Sequence, residues 1–331
     1  MIDKETLKIF FLKYISYIFP NYILKKMTLR GSLIVSKILC IKVLEEIANK
    51  NNFDEYISNI KYKIIFKSNK NQFSVFNMCY LSDMLGKSLL ALSLNAVPVF
   101  DVKDRDGENY YTTFFKINNS DEINQLKEIK LSKTVECYTV NPRWFMRKKE
   151  QKAWHHLYKK YFTLRKDIMD KFEKEFKNKK NHGIKDIIGC VVRGTDYEIK
   201  KPKGHPIQPT IEEIINELKK IKEDNDNTVF YVVSDEQRYF ERINKCFPGG
   251  VFTSQCQYYD ALYEARNKNI AEFTFNRDND KYLRGLEYFQ RVYLLSKLDG
   301  FVGAMSGAVR MALIIKGNSF EKGKIINKGL Y

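Results

Sequence analysis

The chain has 331 residues, and its 57 Lys and Arg outnumber its 40 Asp and Glu, which gives a formal net charge of +17. The length favours two domains, and a hydrophobic fraction of 44% excludes a largely disordered chain. The six cysteines are widely spaced without a CxxC pair, which argues against a disulfide framework or a zinc site and favours reduced thiols. The positive charge leaves three kinds of partner open: nucleic acid, an anionic membrane surface and anionic small substrates.

The first predicted element is an apolar stretch at residues 9–24, which Lys13 and Pro20 interrupt. It is too short to span a bilayer, and it does not form a convincing secretory signal. With lysines around it, the stretch could lie in a membrane interface, and the alternative is a helix packed on the N-terminal domain. We therefore expect a cytoplasmic protein, with the inner face of the cytoplasmic membrane as a location that the sequence leaves open.

The remaining patterns predict two α/β halves, residues 1–165 and 166–331. In the first half we expect a helix at 77–95 and strands at 96–101 and 133–140, and residues 154–180 predict one long charged helix that joins the halves. The second half alternates predicted strands at 186–192, 228–233, 250–254 and 299–304 with predicted helices at 210–223, 237–246, 282–297 and 306–316. Such alternation is typical of a parallel sheet with helices on both faces.

Three of the predicted strands end in residues suited to binding an anion. The sequences at these ends are Arg193-Gly194-Thr195-Asp196, Ser234-Asp235-Glu236 and Met305-Ser306-Gly307. Because the carboxyl ends of parallel strands lie at one edge of the sheet, these residues are expected to converge. An arginine fork pairs with two phosphate oxygens, and a helix start offers backbone N–H groups and a positive dipole end. The sequence therefore predicts a nucleotide-sugar site at this edge.

Four of the candidate residues also have a purely structural interpretation. The alternatives are an N-cap serine at Ser306, a helix cap at Asp235, an internal ion pair at Arg193 and an ordinary loop histidine at His205. Their shared position at one edge favours the functional interpretation. Three Asp-x-Asp sequences, at 104–106, 224–226 and 278–280, are close to what chance would produce in a polar chain, so we predict no metal.

Several segments resemble the fucosyltransferase superfamily, which includes α1,2-, α1,6- and protein O-fucosyltransferases. VVRGTDY followed by KPKGHPI resembles the arginine motif of that superfamily, and YVVSDEQ is similar to its strand-and-acid segment. YLRGLEYFQRVYLLSKLDGFVGAMSGAVRMAL is similar to its last motif, and FNMCYLSDMLGKSLLALSLNAVPVFD looks like an N-terminal unit of bacterial polysaccharide-locus members. The likeness covers about residues 75–317, with specific motifs in the second half only.

The resemblance implies a GT-B-like fold, in which two Rossmann-like α/β domains flank a cleft. The first domain would face the acceptor, and the second would bind a nucleotide sugar, most often GDP-fucose, without a metal or a further cofactor. The implied donor-binding residues are Arg193, Gly194, Thr195, His205, Ser234, Asp235, Glu236, Ser306 and Gly307. Arg193 matches an arginine on the donor β-phosphate, and Ser306 matches a serine near the same phosphate. The catalytic candidates are Arg193, Asp196 and Asp235.

This chain departs from the pattern of the superfamily in two places. Val191 and Gly194 stand where relatives often have a histidine and a second arginine, so the donor sugar stays open. Some relatives have an aspartate near the position of Arg291. The acceptor base is not identified: Asp196, Asp235 and Glu236 are candidates, and acids of the N-terminal domain are a further alternative.

The predicted function is the transfer of a sugar, fucose above all, to a hydroxyl of a glycan acceptor in surface-polysaccharide synthesis. The alternatives are a transferase with a different GDP-sugar and a noncatalytic, membrane-associated scaffold of the same fold. A nucleic-acid-binding protein is a third alternative, since residues 147–185 alone hold 14 Lys and Arg against 5 Asp and Glu. We find no known RNA- or DNA-binding module, and we expect no nucleic-acid partner.

Overall fold

A computed structural model describes residues 4–50, 52–67, 77–103, 108–117, 120–132, 135, 137–140, 147–181, 186–260, 270 and 273–331. The chain forms two compact units, unit 1 with residues 1–72 and 79–165 and unit 2 with residues 73–78 and 166–331. Each unit combines helices with a sheet whose paired strands run parallel. The predicted α/β fold class is thereby confirmed for both halves.

Unit 1 contains a small sheet in the order β2-β1-β3. Its strands are β1 (Tyr62–Lys67), β2 (Ala96–Asp101) and β3 (Lys127–Glu128). Its helices are α1 (Lys4–Ile18), α2 (Asn21–Leu29), α3 (Leu33–Lys50), α4 (Phe53–Ser58), α5 (Met78–Ser93), α6 (Tyr110–Phe114), α7 (Ser120–Gln125) and α8 (Lys148–Tyr161). The predicted helix at 77–95 and strand at 96–101 correspond to α5 and β2.

The predicted strand at 133–140 is wrong for the part of it that the structure describes, residues 135 and 137–140, none of which is in a strand. This segment instead crosses α5 at Gly86, where an added Cβ would lie 2.9 Å from the carbonyl oxygen of Tyr138 and 3.2 Å from Cys137 Sγ. Tyr138 also stacks on the ring of Trp154 in α8. The apolar residues are therefore buried against helices, which explains why they resemble a strand in sequence.

The single long helix predicted at 154–180 is also wrong, because residues 162–165 leave the helical conformation. Lys116 N donates to the carbonyl oxygen of Thr163 at 2.8 Å, and Arg165 N donates to that of Phe114 at 3.0 Å. Phe162 is almost fully buried and packs edge-to-face on Phe115. Long-range aromatic packing thus ends α8 at Tyr161, and the chain resumes a helix only at Lys166.

Unit 2 has a five-stranded parallel sheet in the order β6-β5-β4-β7-β8. Its strands are β4 (Ile187–Val192), β5 (Val229–Ser234), β6 (Val251–Phe252), β7 (Gly300–Gly303) and β8 (Lys322–Ile325). Its helices are α9 (Lys166–Asn181), α10 (Thr195–Lys200), α11 (Ile211–Asp224), α12 (Gln237–Cys246), α13 (Asp280–Ser296) and α14 (Gly307–Lys316). The four predicted strands and four predicted helices are all present, whereas β8 was not predicted.

The central strand β4 explains why the sequence pattern was clear in this half. All six of its residues are buried, as expected for a parallel strand covered on both faces. Cys190 and Val192 pack with Phe230 of β5 and Leu218 of α11 in one hydrophobic cluster. The segment that follows β4 forms the short helix α10, which ends at Lys200 and is followed by the C-cap residue Lys201 with φ 42°.

Candidate functional site

The sheet of unit 2 brings the three predicted strand ends to one edge. β4 pairs with β5 on one side, with Val192 opposite Ser234, and with β7 on the other side, with Val191 opposite Gly303. All three strands are parallel, so the loops that follow them start from the same edge of the sheet. Arg193 follows β4, Asp235 follows β5, and Ser306 lies three residues beyond β7.

Arg193 and Asp235 are in direct contact at this edge. One carboxylate oxygen of Asp235 accepts a hydrogen bond from Gly194 N at 3.1 Å, and the other lies 3.9 Å from Arg193 Nη1. The Arg193 guanidinium also lies 4.9 Å from the centre of the Tyr197 ring. Its side chain is 20% exposed, so Arg193 is not enclosed in an internal ion pair. Asp235 does not cap α12 and instead positions the loop that carries Arg193.

At Gly194 this loop passes close to Glu236. A Cβ at residue 194 would overlap Glu236 Oε1 and lie 2.6 Å from Tyr239 Cε2. Glu236 is 1% exposed, and its carboxylate is held by an ion pair with Arg238. The absence of a side chain at residue 194 therefore lets the two loops meet.

We expect Gly194→Ala to lower the free energy of unfolding by about 1–3 kcal/mol, the range for overpacking of a buried site. The measurement is chemical denaturation followed by circular dichroism. The matched control is Gly307→Ala, because an added Cβ at residue 307 has no atom within 4 Å and alanine is the better helix former. Equal stabilities of the two variants would contradict the close contact with Glu236.

Ser306 and Gly307 begin helix α14. Ser306 Oγ accepts a hydrogen bond from Val309 N at 3.3 Å, so the structure confirms that Ser306 is an N-cap. Ser306 is 3% exposed and follows the buried strand β7. The capping bond uses one donor of the first turn and leaves the helix start with its positive dipole end at the sheet edge. The cap and the predicted anion site are thus compatible.

His205 is linked to Arg193 through one aromatic residue. His205 Nδ1 lies 3.0 Å from the hydroxyl oxygen of Tyr197, the same residue whose ring contacts the Arg193 guanidinium. The loop of His205 is also held by the C-terminal segment, because Tyr331 N donates to the carbonyl oxygen of His205 at 2.9 Å. Tyr197 was missed in the sequence because nothing in the motif marks it as a bridge between two predicted site residues.

The remaining predicted site residues are Ser234, Thr195 and Asp196. Ser234 is buried, and its hydroxyl accepts a hydrogen bond from Glu236 N at 3.1 Å, which shapes the turn after β5. Thr195 and Asp196 form the first turn of α10, and their side chains lie outside the described part of the structure. The proposed base Asp196 therefore stays a prediction.

Two further residues lie beside the turn after β5, and neither was among the predicted site residues. Arg291 of α13 is 6% exposed, and its Nη1 donates to the carbonyl oxygen of Ser234 at 2.9 Å. The ring of Tyr258 lies 5.9 Å from the same guanidinium, and burial raises the pKa of its phenol. The segment of Tyr258 is fastened to the site, since Tyr259 N donates to the carbonyl oxygen of Asp235 at 2.7 Å.

The Asp-x-Asp sequences contribute nothing to this edge where they are described. Residues 224–226 lie before β5, at the opposite edge of the sheet, and Asp280 is paired with Arg277 and Arg284. The sequence at 104–106 lies outside the described residues. Within the described ranges, no group of three His, Cys, Asp or Glu side chains could hold a metal ion.

No family model and no curated protein matches the sequence. Among solved structures, the chain is similar to NodZ α-1,6-fucosyltransferase soaked with GDP-fucose, with a TM-score of 0.48 and 13% identity over 81% of this chain and 100% of that one.

Two further solved structures are similar to the chain, with lower TM-scores. Fucosyltransferase NodZ from Bradyrhizobium has a TM-score of 0.45 and 14% identity, with 76% of this chain and 92% of that chain covered. A mutant of Arabidopsis thaliana FUT1 in complex with GDP has a TM-score of 0.41 and 11% identity, with 84% and 77% covered.

Proposed function

We propose that this chain is a glycosyltransferase that moves a sugar, fucose above all, from a GDP-sugar to a glycan hydroxyl without a metal ion. One observation carries the proposal. The Arg193 guanidinium is held between Asp235 and the Tyr197 ring and is still 20% exposed, at the sheet edge where helix α14 also begins. A partly open cation beside a helix start suits a diphosphate.

The chemistry of sugar transfer requires such a site. Cleavage of a sugar–phosphate bond leaves negative charge on the departing diphosphate and positive charge on the sugar ring. Arg193 and the start of α14 would hold the diphosphate more strongly as that charge develops, and such differential binding accelerates the reaction. The protein cation would take the role that a metal ion has in other transferases.

The acceptor base is proposed from fewer observations. Asp235 has both carboxylate oxygens directed at Gly194 and Arg193, and Glu236 is paired with Arg238, so both acids have positioning contacts. We therefore propose Asp196 as the acceptor base, because Asp235 and Glu236 already have positioning contacts. The proposed acceptor, a surface polysaccharide that would be bound on the side of unit 1, follows from the sequence resemblance.

The test is a thermal-shift screen of the wild-type chain with GDP-fucose, GDP-mannose, UDP-, dTDP- and CMP-sugars. A donor at 100 times its dissociation constant adds about 2.7 kcal/mol of stability, a readily measured shift. The donor that binds is then incubated with glycan acceptors, and the released nucleoside diphosphate is measured. Donor binding without any turnover would favour the noncatalytic scaffold, and no shift with any nucleotide sugar would refute the proposed site.

We also propose that α1 and α2 bind an anionic membrane surface. One face of these helices is packed, with Ile9, Leu12 and Leu24 buried. The other face exposes large apolar and aromatic side chains: Phe11, Tyr14, Tyr17, Ile18, Phe19, Tyr22, Met27 and Leu29. Exposed Lys8, Lys26 and Arg30 lie in the same segment. No helix of the described chain is long and apolar enough to cross a bilayer. We propose an interfacial mode, in which the exposed apolar side chains enter the headgroup region beside the cations.

Membrane binding is tested by sedimentation with phosphatidylglycerol vesicles and with phosphatidylcholine vesicles. We expect the wild type to sediment with the anionic vesicles, and the variant Tyr14→Ser, Tyr17→Ser, Tyr22→Ser to stay mostly in solution. These three side chains are 69–71% exposed, so their loss should not disturb folding. The control is Ile117→Ser, which removes a 61% exposed apolar residue outside α1 and α2. Equal sedimentation of both variants would refute the membrane surface.

A further inference from the structure

Arg291 carries a buried charge that no described carboxylate matches within ion-pair distance. Its side chain extends from α13 to the carboxyl end of β5 and is 6% exposed. Nη1 donates to the carbonyl oxygen of Ser234 at 2.9 Å, whereas Nε and Nη2 have no hydrogen-bond partner among the residues that the structure describes. Buried polar groups are nearly always paired, so two unused donors at one site require an explanation.

A neighbouring residue of the same helix shows what a structural arginine looks like here. Arg284 is equally buried, and its Nε lies 2.9 Å from an Asp280 carboxylate oxygen, one turn earlier in α13. Arg277 is similarly matched, with Asp280 at 2.8 Å and Glu287 beside it. Arg291 lacks such a carboxylate within ion-pair distance in the described chain, which distinguishes it from these two.

The surroundings of Arg291 are those of the candidate site. The groups that act on its charge are Asp235, the Tyr231 phenol and Arg193, and burial, the largest influence, lowers the pKa of the guanidinium. Arginine nevertheless stays protonated in proteins, so burial does not remove the charge of Arg291. Asp235 is already engaged with Gly194 N and Arg193. Among the described groups that act on Arg291, one carboxylate thus faces two guanidinium groups, and an anion would balance the remaining positive charge.

We propose that Arg291 is a second phosphate-binding residue, which contacts the diphosphate of the donor together with Arg193. This inference rests on the proposed function and adds a residue from a different element. Gly194 has no side chain at the position where the resembled transferases often carry a second arginine, and Glu236 fills the space beside it. The guanidinium of Arg291 would supply a second cation from α13, and its buried Nε and Nη2 are the donors that no described residue uses.

The test compares the affinities for GDP, GMP and guanosine by calorimetry in the wild type, Arg291→Gln and the control Arg284→Gln. We expect the wild type to bind GDP at least 10-fold more tightly than GMP. Arg291→Gln should lose 10-fold or more in GDP affinity, with a GDP-to-GMP ratio near 1 and unchanged guanosine binding. Arg284→Gln removes a buried arginine that is already paired, and it should keep the wild-type ratio. A merely structural role for Arg291 would not move this ratio selectively.

A second variant, Arg291→Met, keeps the test informative if Arg291→Gln does not fold. Arg291→Met fills similar space without charge, and its melting temperature without ligand should equal or exceed that of the wild type, because an unmatched buried charge is removed. A wild-type GDP-to-GMP ratio in either folded variant would overturn the role of Arg291 alone. Failure of both variants to fold would assign Arg291 a structural role and overturn it as well. A wild type that binds no GDP would overturn the proposed function and this inference together.

Discussion

Replacement of Arg193 by alanine is expected to lower the rate of sugar transfer by about 10²-fold or more while the protein stays folded. Loss of one preorganised donor to a developing anion costs about 3 kcal/mol in comparable sites. Arg193 is 20% exposed, and Asp235 keeps its hydrogen bond from Gly194 N in the variant, so the loop should retain its shape. The measurement is kcat with a saturating donor, together with thermal unfolding to verify the fold.

Arg193→Lys separates charge from geometry in the same experiment. Lysine keeps a positive charge but cannot make the paired hydrogen bonds of a guanidinium. We expect its kcat to lie between those of the alanine variant and the wild type. Normal turnover by Arg193→Ala would show that Arg193 does not stabilise the departing diphosphate, and it would refute the proposed mechanism.

Two substitutions of Ser306 should separate helix capping from anion binding. Asn and Asp are both good N-caps and have nearly the same size, so Ser306→Asn and Ser306→Asp differ mainly in charge. At about 4 Å and an effective dielectric constant near 20, two like charges repel by about 4 kcal/mol. We therefore expect Ser306→Asp to bind GDP about 10²-fold or more weakly than Ser306→Asn, as measured by calorimetry.

The stability of the two variants provides the control. Because both side chains can accept the hydrogen bond that Ser306 Oγ accepts from Val309 N, helix α14 should persist in both. Equal GDP affinities in two folded variants would show that Ser306 only caps the helix. That result would remove the start of α14 from the proposed site and leave Arg193 as its main cation.

The sequence was most informative where a segment is buried on both sides. β4, β5 and β7 are short apolar runs that end in polar residues, and their pattern needs no knowledge of distant contacts. The placement of Arg193, Asp235 and Ser306 at one edge followed from the parallel topology alone, since all such strands end at the same side. The edge was therefore predictable before any side-chain position was known.

Errors arose where burial depends on residues far away in the chain. Residues 137–140 resemble a strand because they are apolar, but they pack on Gly86 of α5. The break between α8 and α9 is caused by hydrogen bonds to residues 114–116, and no proline or glycine marks it locally. Neither contact can be predicted from hydrophobic periodicity. Periodicity indicates which residues of a segment are buried, but it does not indicate which other segment they pack against.

By itself, the sequence determined the alternating architecture of unit 2 and the order of the loops proposed to bind an anion, because hydrophobic periodicity and strand–helix alternation are local properties. Only the tertiary structure decided how the side chains at that edge are used. It placed Asp235 against Gly194 and Arg193, and it brought Arg291 from α13 to the end of β5, 57 residues away in sequence. The physical reason is that ion pairing and desolvation depend on distances between elements, which the order of residues does not specify.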